Sequence, residues 1–226
     1  MHIGLIGGIG PAATEFYYRG LVRAFAAANR KLELTIANAE VRDLTGNLAK
    51  LDHKAQAGIF VELIGRLKAA GAKAAAVTSI AGHFCIEELT AISPLPLINV
   101  LPELDRAFRE MGVKRIGILG SGMVMQSRFH GGVTSVEIVA PKGAELEEAG
   151  NRYLALATAG VATDDDRRFF LDAGRKLVRE QGADVVVLSG TDLFLAFDGA
   201  SPGYPLADAA EIHIGAIVRA AMQDMS

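Results

Sequence analysis

The amino-acid sequence predicts an α/β fold of two similar halves, each a doubly wound parallel sheet, that face each other across a cleft. Three observations predict it. Short apolar segments alternate with amphipathic ones along the 226 residues, which is typical of parallel sheets covered by helices. The segment 3–8 (IGLIGG) resembles 116–121 (IGILGS). At nearly the same spacing, 71–78 (GAKAAAVT) resembles 182–189 (GADVVVLS), which indicates an internal duplication.

The first half is predicted to contain residues 1–100 together with about 208–226, and the second half residues 101–207. Its first strand, Ile3–Ile6, is apolar throughout and stops at a glycine pair. Pro11 then suits the first turn of a helix, where no backbone N–H is needed. Gly71 and Gly112 are expected to end two later helices. Further strands of this half are predicted at 32–37, 74–77 and 97–100, and further helices over 59–67 and 104–111.

The second half follows the same order. Strands are predicted at 116–119 and 185–188, because both segments are short and apolar. The acidic run Asp164–Asp166 indicates the start of a helix, where negative charge complements the helix dipole. A helix over about 208–222 is expected to pack back on the first half.

Composition limits the function classes. Half of the residues are apolar and 22% are charged, as in folded globular proteins. The net charge of −3, from 23 basic and 26 acidic residues, argues against nucleic acid or an anionic membrane as partner. A lone Cys85 allows no intrachain disulfide and fits a reducing compartment. The N-terminus lacks the pattern of a signal peptide and no apolar run is long enough to span a bilayer, so we expect a cytoplasmic protein.

Ligands of open α/β sheets bind outside the carboxyl ends of the strands. Four segments are therefore candidate site walls, namely 7–11, 78–83, 121–125 and 189–192. In the first, Gly8, Gly10 and Pro11 form a turn into a helix that either cradles a small carboxylate or is only a tight turn. Its spacing matches neither the dinucleotide fingerprint nor the P-loop, so no nucleotide cofactor is predicted.

Thr78, Ser79 and His83 follow a buried strand closely. They either orient a carboxylate and move a proton, or cap the next helix with hydroxyls. His213 lies in an apolar helix, where it either points into the cleft or is a core histidine. Cys85 is expected to be a small buried apolar residue rather than a nucleophile. No His, Cys, Asp or Glu cluster has metal-ligand spacing, so no metal is predicted.

Several segments together resemble the aspartate/glutamate racemase family over nearly the whole chain. They are the opening run 3–18, the strand and turn over 114–125, the strand ends near 78 and 190, and the segment 205–213. The resemblance implies a cofactor-independent racemase for an acidic amino acid. It further implies two cysteines, one per half, of which one takes the α-proton and the other returns a proton to the opposite face.

This sequence departs from the family at both thiols, because Thr78 and Gly190 stand where they belong. The neighbouring Asn-Thr pair of the family is also replaced, by Ile80 and Ala81. The two-thiol mechanism is therefore not available, although the repeat alternatively pairs Thr78 with Ser189. The predicted catalytic residues are Thr78, His83 and Asp192. The predicted substrate-binding residues are Gly8, Gly10, Pro11, Arg42, Ser79, Ser121, Ser189, Thr191 and His213.

Three functions fit these residues. One is an isomerase that racemises or epimerises a small carboxylate or amino acid with altered acid–base groups, in which His83, Asp192 or His213 carries protons and Thr78 assists. Another is a different reaction on the same site, such as a decarboxylase, lyase or hydrolase. The last is a non-catalytic carboxylate-binding paralogue. No cofactor is predicted for any of the three functions. The family resemblance, and the frequency of homodimers among soluble enzymes, suggest a homodimer.

Overall fold

The structure, a computed structural model, describes residues 1–223. They form two compact units. One contains Met1–Asn99 and the described residues from His213 onwards, and the other contains Val100–Ile212. The sequence predicts these boundaries after residue 100 and near residue 208. Residues 224–226 of the predicted first half lie outside the described residues. None of the described helices is long and apolar enough to cross a membrane.

The first unit is built on a parallel sheet. Its strands are β1 (Ile3–Gly7), β2 (Leu34–Asn38) and β3 (Ala74–Val77), in the order β2-β1-β3. Its helices are α1 (Pro11–Ala27), α2 (Val41–Lys50), α3 (His53–Ala69) and α4 (Ile86–Ile92), with a 3-10 turn at Ala81–Cys85 before α4. In register, Ile3 of β1 lies opposite both Leu34 and Ala74. All carboxyl ends of these strands therefore lie at one edge of the sheet.

The second unit repeats this arrangement with one strand more. Its strands are β4 (Arg115–Leu119), β5 (Glu137–Val139), β6 (Val185–Leu188) and β7 (Leu206–Asp208), all parallel and in the order β5-β4-β6-β7. Its helices are α5 (Val100–Met111), α6 (Gly122–Ser127), α7 (Ala144–Ala159), α8 (Asp164–Gln181) and α9 (Phe194–Phe197). The last helix, α10 (Ala209–Gln223), begins in this unit, and its residues from His213 belong to the first.

A glycine in the first strand of each unit lets one helix pack closely on the sheet. A Cβ at Gly4 of β1 would lie 2.9 Å from Cδ1 of Leu67 on α3. A Cβ at Gly117 of β4 would lie 2.9 Å from Cβ of Leu177 on α8. Both leucines are buried, so in each unit a core side chain fills the space that a Cβ of the glycine would take. The α/β class with parallel sheets, predicted from the alternation of elements, is confirmed.

The prediction of a strand at 97–100 is wrong. Only Leu97 forms a parallel bridge, with Ala75 of β3, and Val100 already begins α5. The helix prevails because Val100, Leu104 and Phe108 recur at helical spacing and all become buried. The helix predicted to start at the acidic run is confirmed, since α8 begins at Asp164 behind the N-cap Thr163.

Candidate functional site

The hydroxyls at the ends of β3 and β6 are held in the same way. Thr78 Oγ1 donates a hydrogen bond of 2.9 Å to the Ile6 carbonyl, which also accepts from the Thr78 N–H at 3.0 Å. Ser189 Oγ donates to the Leu119 carbonyl at 3.0 Å, and the Ser189 N–H donates to the same oxygen at 2.7 Å. Both side chains are buried. Each hydroxyl proton is therefore engaged within its own sheet, and only the oxygen lone pairs can meet a ligand.

His83 is oriented by the segment that follows β3. Ser79 Oγ accepts a hydrogen bond from the Gly82 N–H at 3.2 Å and so caps the 3-10 turn. The Ser79 carbonyl lies 2.7 Å from Nδ1 of the buried His83. Because a carbonyl can only accept, Nδ1 carries the hydrogen in the neutral ring, and Nε2 is then the basic nitrogen.

His213 belongs to a buried network of the first unit. Its Nε2 lies 2.8 Å from the Ile98 carbonyl, so this nitrogen carries the hydrogen. Its Nδ1 then accepts from the Tyr17 hydroxyl at 2.9 Å. The His213 ring also meets the ring of His83 edge-on, with 6.1 Å between centroids. A ligand at His213 would have to displace one of these hydrogen bonds.

Tyr153 of α7 lies beside the segment that follows β6. A Cβ at Gly190 would lie 2.2 Å from Cε2 and 2.6 Å from Cζ of Tyr153, so the tyrosine ring occupies the space of a side chain at this position. The Tyr153 hydroxyl donates to Oδ2 of the buried Asp192 at 3.4 Å. Burial, and then the Asp192 charge, hold the pKa of Tyr153 well above its usual range. The phenol therefore stays protonated as a hydrogen-bond donor.

The Gly-rich turn after β1 has a strained backbone that only glycine adopts easily. Gly8 and Gly10 have φ angles of 85° and 104°. A Cβ at Gly8 would lie 2.2 Å from Oδ1 of Asn38. The Gly8 N–H donates to Thr14 Oγ1 at 2.8 Å, so this donor of the predicted anion cradle is engaged by α1. Pro11 is exposed and, as predicted, opens the helix.

Of the other predicted binding residues, Ser121 and Arg42 lie at helix starts, and Thr191 lies in the turn before α9. Ser121 Oγ accepts from the Val124 N–H at 3.3 Å and is the N-cap of α6. Thr191 is buried beside Asp192. Arg42 is exposed in the first turn of α2, where its N–H donates to the Glu40 carboxylate. A guanidinium in this position is accessible to an anion.

Cys85 has the character expected of a core residue. It is fully buried, and its Sγ lies 3.5 Å from the Gly82 carbonyl. Burial raises the pKa of the Cys85 thiol to about 12, so almost no thiolate exists near neutral pH. In the part of the chain that the structure describes, no three His, Cys, Asp or Glu side chains are grouped to hold a metal ion.

The fold, with two parallel sheets and their strand-end residues, can be compared with known proteins. Residues 6–217 match the family model of the Asp/Glu/hydantoin racemases. The chain belongs to the Asp/Glu/hydantoin racemase family.

Solved structures share the fold over 98–99% of this chain. A protein from Yersinia pestis assigned to the Asp/Glu racemases has a TM-score of 0.82 and 24% identity, covering 98% of this chain and 100% of that one. An aspartate racemase homologue from Pyrococcus horikoshii has a TM-score of 0.78 and 21% identity, covering 98% and 99%. Glutamate racemase from Francisella tularensis, in complex with D-glutamate, has a TM-score of 0.71 and 12% identity, covering 99% and 82%.

Sequence reasoning missed two tyrosines. Tyr17 supports His213, and Tyr153 contacts Gly190 and Asp192. Both lie on helices and are far along the chain from the residues that they contact. The one sequence signal was Gly190 itself, because a glycine at a buried strand end leaves space for a neighbour without identifying it.

Proposed function

We propose that this racemase-family protein is a cofactor-independent isomerase that inverts the α-carbon of a small carboxylate, with His83 and Asp192 as its proton carriers. One observation carries the proposal. In each unit, a buried side chain of a residue type that can carry a proton follows a strand that pairs with the unit's first strand: His83 after β3 and Asp192 after β6. A carboxylate or imidazole so placed is an ordinary general acid or base.

The chemistry balances with proton transfers alone. One residue takes the α-proton, and the electron pair of the broken C–H bond is delocalised into the adjacent carboxylate. The other residue gives a proton to the opposite face, which inverts the carbon. Nε2 of His83 and the Asp192 carboxylate can each take or return that proton. Thr78 assists only as a hydrogen-bond acceptor, because its own hydrogen is donated to Ile6.

The proposed substrate is a small amino acid or related carboxylate, consistent with the family description and with the relatives named for aspartate and glutamate. Arg42 is assigned to a second, distal carboxylate because it is exposed and cationic. His213 is assigned a supporting role, since both ring nitrogens are hydrogen-bonded within its unit. The remaining proposed contacts to substrate are Gly8, Gly10, Pro11, Ser79, Ser121, Ser189 and Thr191.

Proton NMR in deuterated buffer tests the proposal with aspartate, glutamate, hydroxy acids, dicarboxylates and hydantoins. We expect the α-proton signal of one compound to disappear while the mirror isomer forms. His83→Asn keeps a donor near the position of Nδ1 but removes the basic nitrogen, and Asp192→Asn keeps the shape of the side chain. Each should slow the exchange about 10²–10⁴-fold. Cys85→Ala is the matched control and should leave the rate unchanged.

One observation favours a second candidate, a different reaction on the same residues. The position aligned with the first thiol carries Thr78, whose hydrogen is engaged, and the one aligned with the second is covered by the Tyr153 ring. Product formation without α-deuteration would identify a decarboxylase, lyase or hydrolase. Thermal stabilisation by a carboxylate with neither change would identify a binding protein. Either result contradicts the isomerase.

A further inference from the structure

We infer that Tyr153 is the positioning residue that fixes Asp192, by covering Gly190 with its ring and donating its phenol hydrogen to the carboxylate. The inference rests on the proposed role of Asp192 and names the group on which that role depends. Tyr153 and Asp192 are both buried in the second unit.

The position of Tyr153 is determined by the packing of α7. A Cβ at Gly150 would lie 3.0 Å from Cα of Gly122, so the two glycines let α7 approach α6 closely. Next to Tyr153, the Arg152 guanidinium donates to Glu148 on α7 and to Asp165 and Asp166 on α8. These contacts hold α7 from two sides, so Tyr153 is presented to the end of β6 by a rigid element.

The ring and the hydroxyl of Tyr153 contact two residues of the segment that follows β6. The ring lies where a Cβ of Gly190 would be, at 2.2, 2.6 and 2.8 Å from Cε2, Cζ and Cδ2. The phenol donates to Asp192 Oδ2 at 3.4 Å. Both ends of the segment 190–192 therefore contact one side chain.

The chemical consequence concerns the protonation of Asp192. A protonated phenol that donates to a carboxylate favours the ionised form of that carboxylate. Without the phenol hydrogen, the carboxylate should accept a proton at higher pH. The effect separates a positioning role from simple core packing, because a ring without its hydroxyl would pack as well.

Tyr153→Phe tests the inference, since it removes only the hydroxyl. The side-chain carboxyl carbon of Asp192 is followed by ¹³C NMR across pH and is identified by its loss in Asp192→Asn. We expect its titration midpoint to rise by about one pH unit in Tyr153→Phe, the size given by one hydrogen bond to a charged group. Gly190→Ala, which displaces the ring, should shift the midpoint in the same direction.

Tyr204→Phe is the matched control. Tyr204 is in the same unit, and its hydroxyl donates to the Leu171 carbonyl at 3.1 Å rather than to a carboxylate. Its removal should leave the Asp192 midpoint unchanged. If Tyr153→Phe also leaves it unchanged, or if Tyr204→Phe shifts it equally, the inference is overturned.

The NMR titration also separates this inference from the proposed function. If α-deuteration occurs, the acid limb of its pH profile should move up with the midpoint in Tyr153→Phe. If no compound is deuterated but the midpoint moves, the isomerase proposal fails and the positioning role of Tyr153 stands. An acid limb that stays fixed while the midpoint moves supports the positioning role and shows that Asp192 carries no proton in the reaction.

Discussion

Gly190→Ala should destabilise the protein by crowding the ring of Tyr153. The added Cβ would lie 2.2 Å from Cε2 of Tyr153, and the φ angle of Gly190 is not in the left-handed region, so side-chain crowding rather than backbone strain is responsible. Overpacking of this kind costs about 1–3 kcal/mol. Displacing the phenol from Asp192 adds about 1 kcal/mol for the lost hydrogen bond. The free energy of unfolding should therefore fall by about 2–4 kcal/mol, or roughly 5–12 °C in Tm.

Chemical and thermal unfolding, followed by circular dichroism, measure this cost. Gly65→Ala is the matched control, because Gly65 is an exposed residue of α3 with no atom within 4 Å of an added Cβ. It should stabilise by about 0.5–1 kcal/mol. In a Tyr153→Ala background, Gly190→Ala should cost almost nothing, which gives a coupling free energy of about 2–4 kcal/mol. A full cost in that background, or none in the parent, would refute the reasoning.

Three other outcomes are expected. Thr163→Ala removes the capping box that Thr163 and Asp166 form at the start of α8, and should lower the free energy of unfolding by about 1 kcal/mol in urea. Burial raises the pKa of Asp208 to about 7. Because this pKa exceeds the unfolded value of about 3.9, the contribution of Asp208 to stability is fully present below pH 4. As the pH rises to 7 that contribution is lost, and the free energy of unfolding falls by about 3–4 kcal/mol. The free energy of unfolding of Asp208→Asn, measured across pH beside that of the parent, should not show this loss. Parallel curves for the two proteins would contradict the prediction. Finally, Cys85, with its pKa raised by burial to about 12, should react with a thiol reagent only on unfolding, and rapid labelling of the native protein would contradict its burial.

The strands of the core were predictable, and the edges of the fold were less so. β1, β3 and β6 are uniformly buried, so their sequences are continuous apolar runs. β5 and β7 have only three residues each, too few for a pattern to show. The strand predicted at 97–100 failed because a segment with one bridge to β3 gives way to the amphipathic helix α5. Tertiary packing, which local pattern does not contain, decided that boundary.

The part of the candidate site that follows from chain topology was predictable. Parallel strands bring their carboxyl ends to one edge, so residues just after a strand, such as His83 and Asp192, could be named from the sequence. Their roles stay predictions. Tyr153 could not be named, because its contact with Gly190 depends on how closely α7 packs. The hydrogen bond from the Gly8 N–H to Thr14 Oγ1 could not be predicted either, because the spacing of residues in the sequence does not show it.

The paired hydroxyl bonds at Thr78 and Ser189 have a dynamic consequence. At each strand end, one carbonyl accepts both the backbone N–H and the side-chain hydroxyl of the same residue. Opening either strand end would break two buried hydrogen bonds at once, so its amide should exchange with deuterium only through large-scale unfolding. A ligand arriving at either edge therefore meets a preorganised surface, and little conformational entropy is lost there on binding.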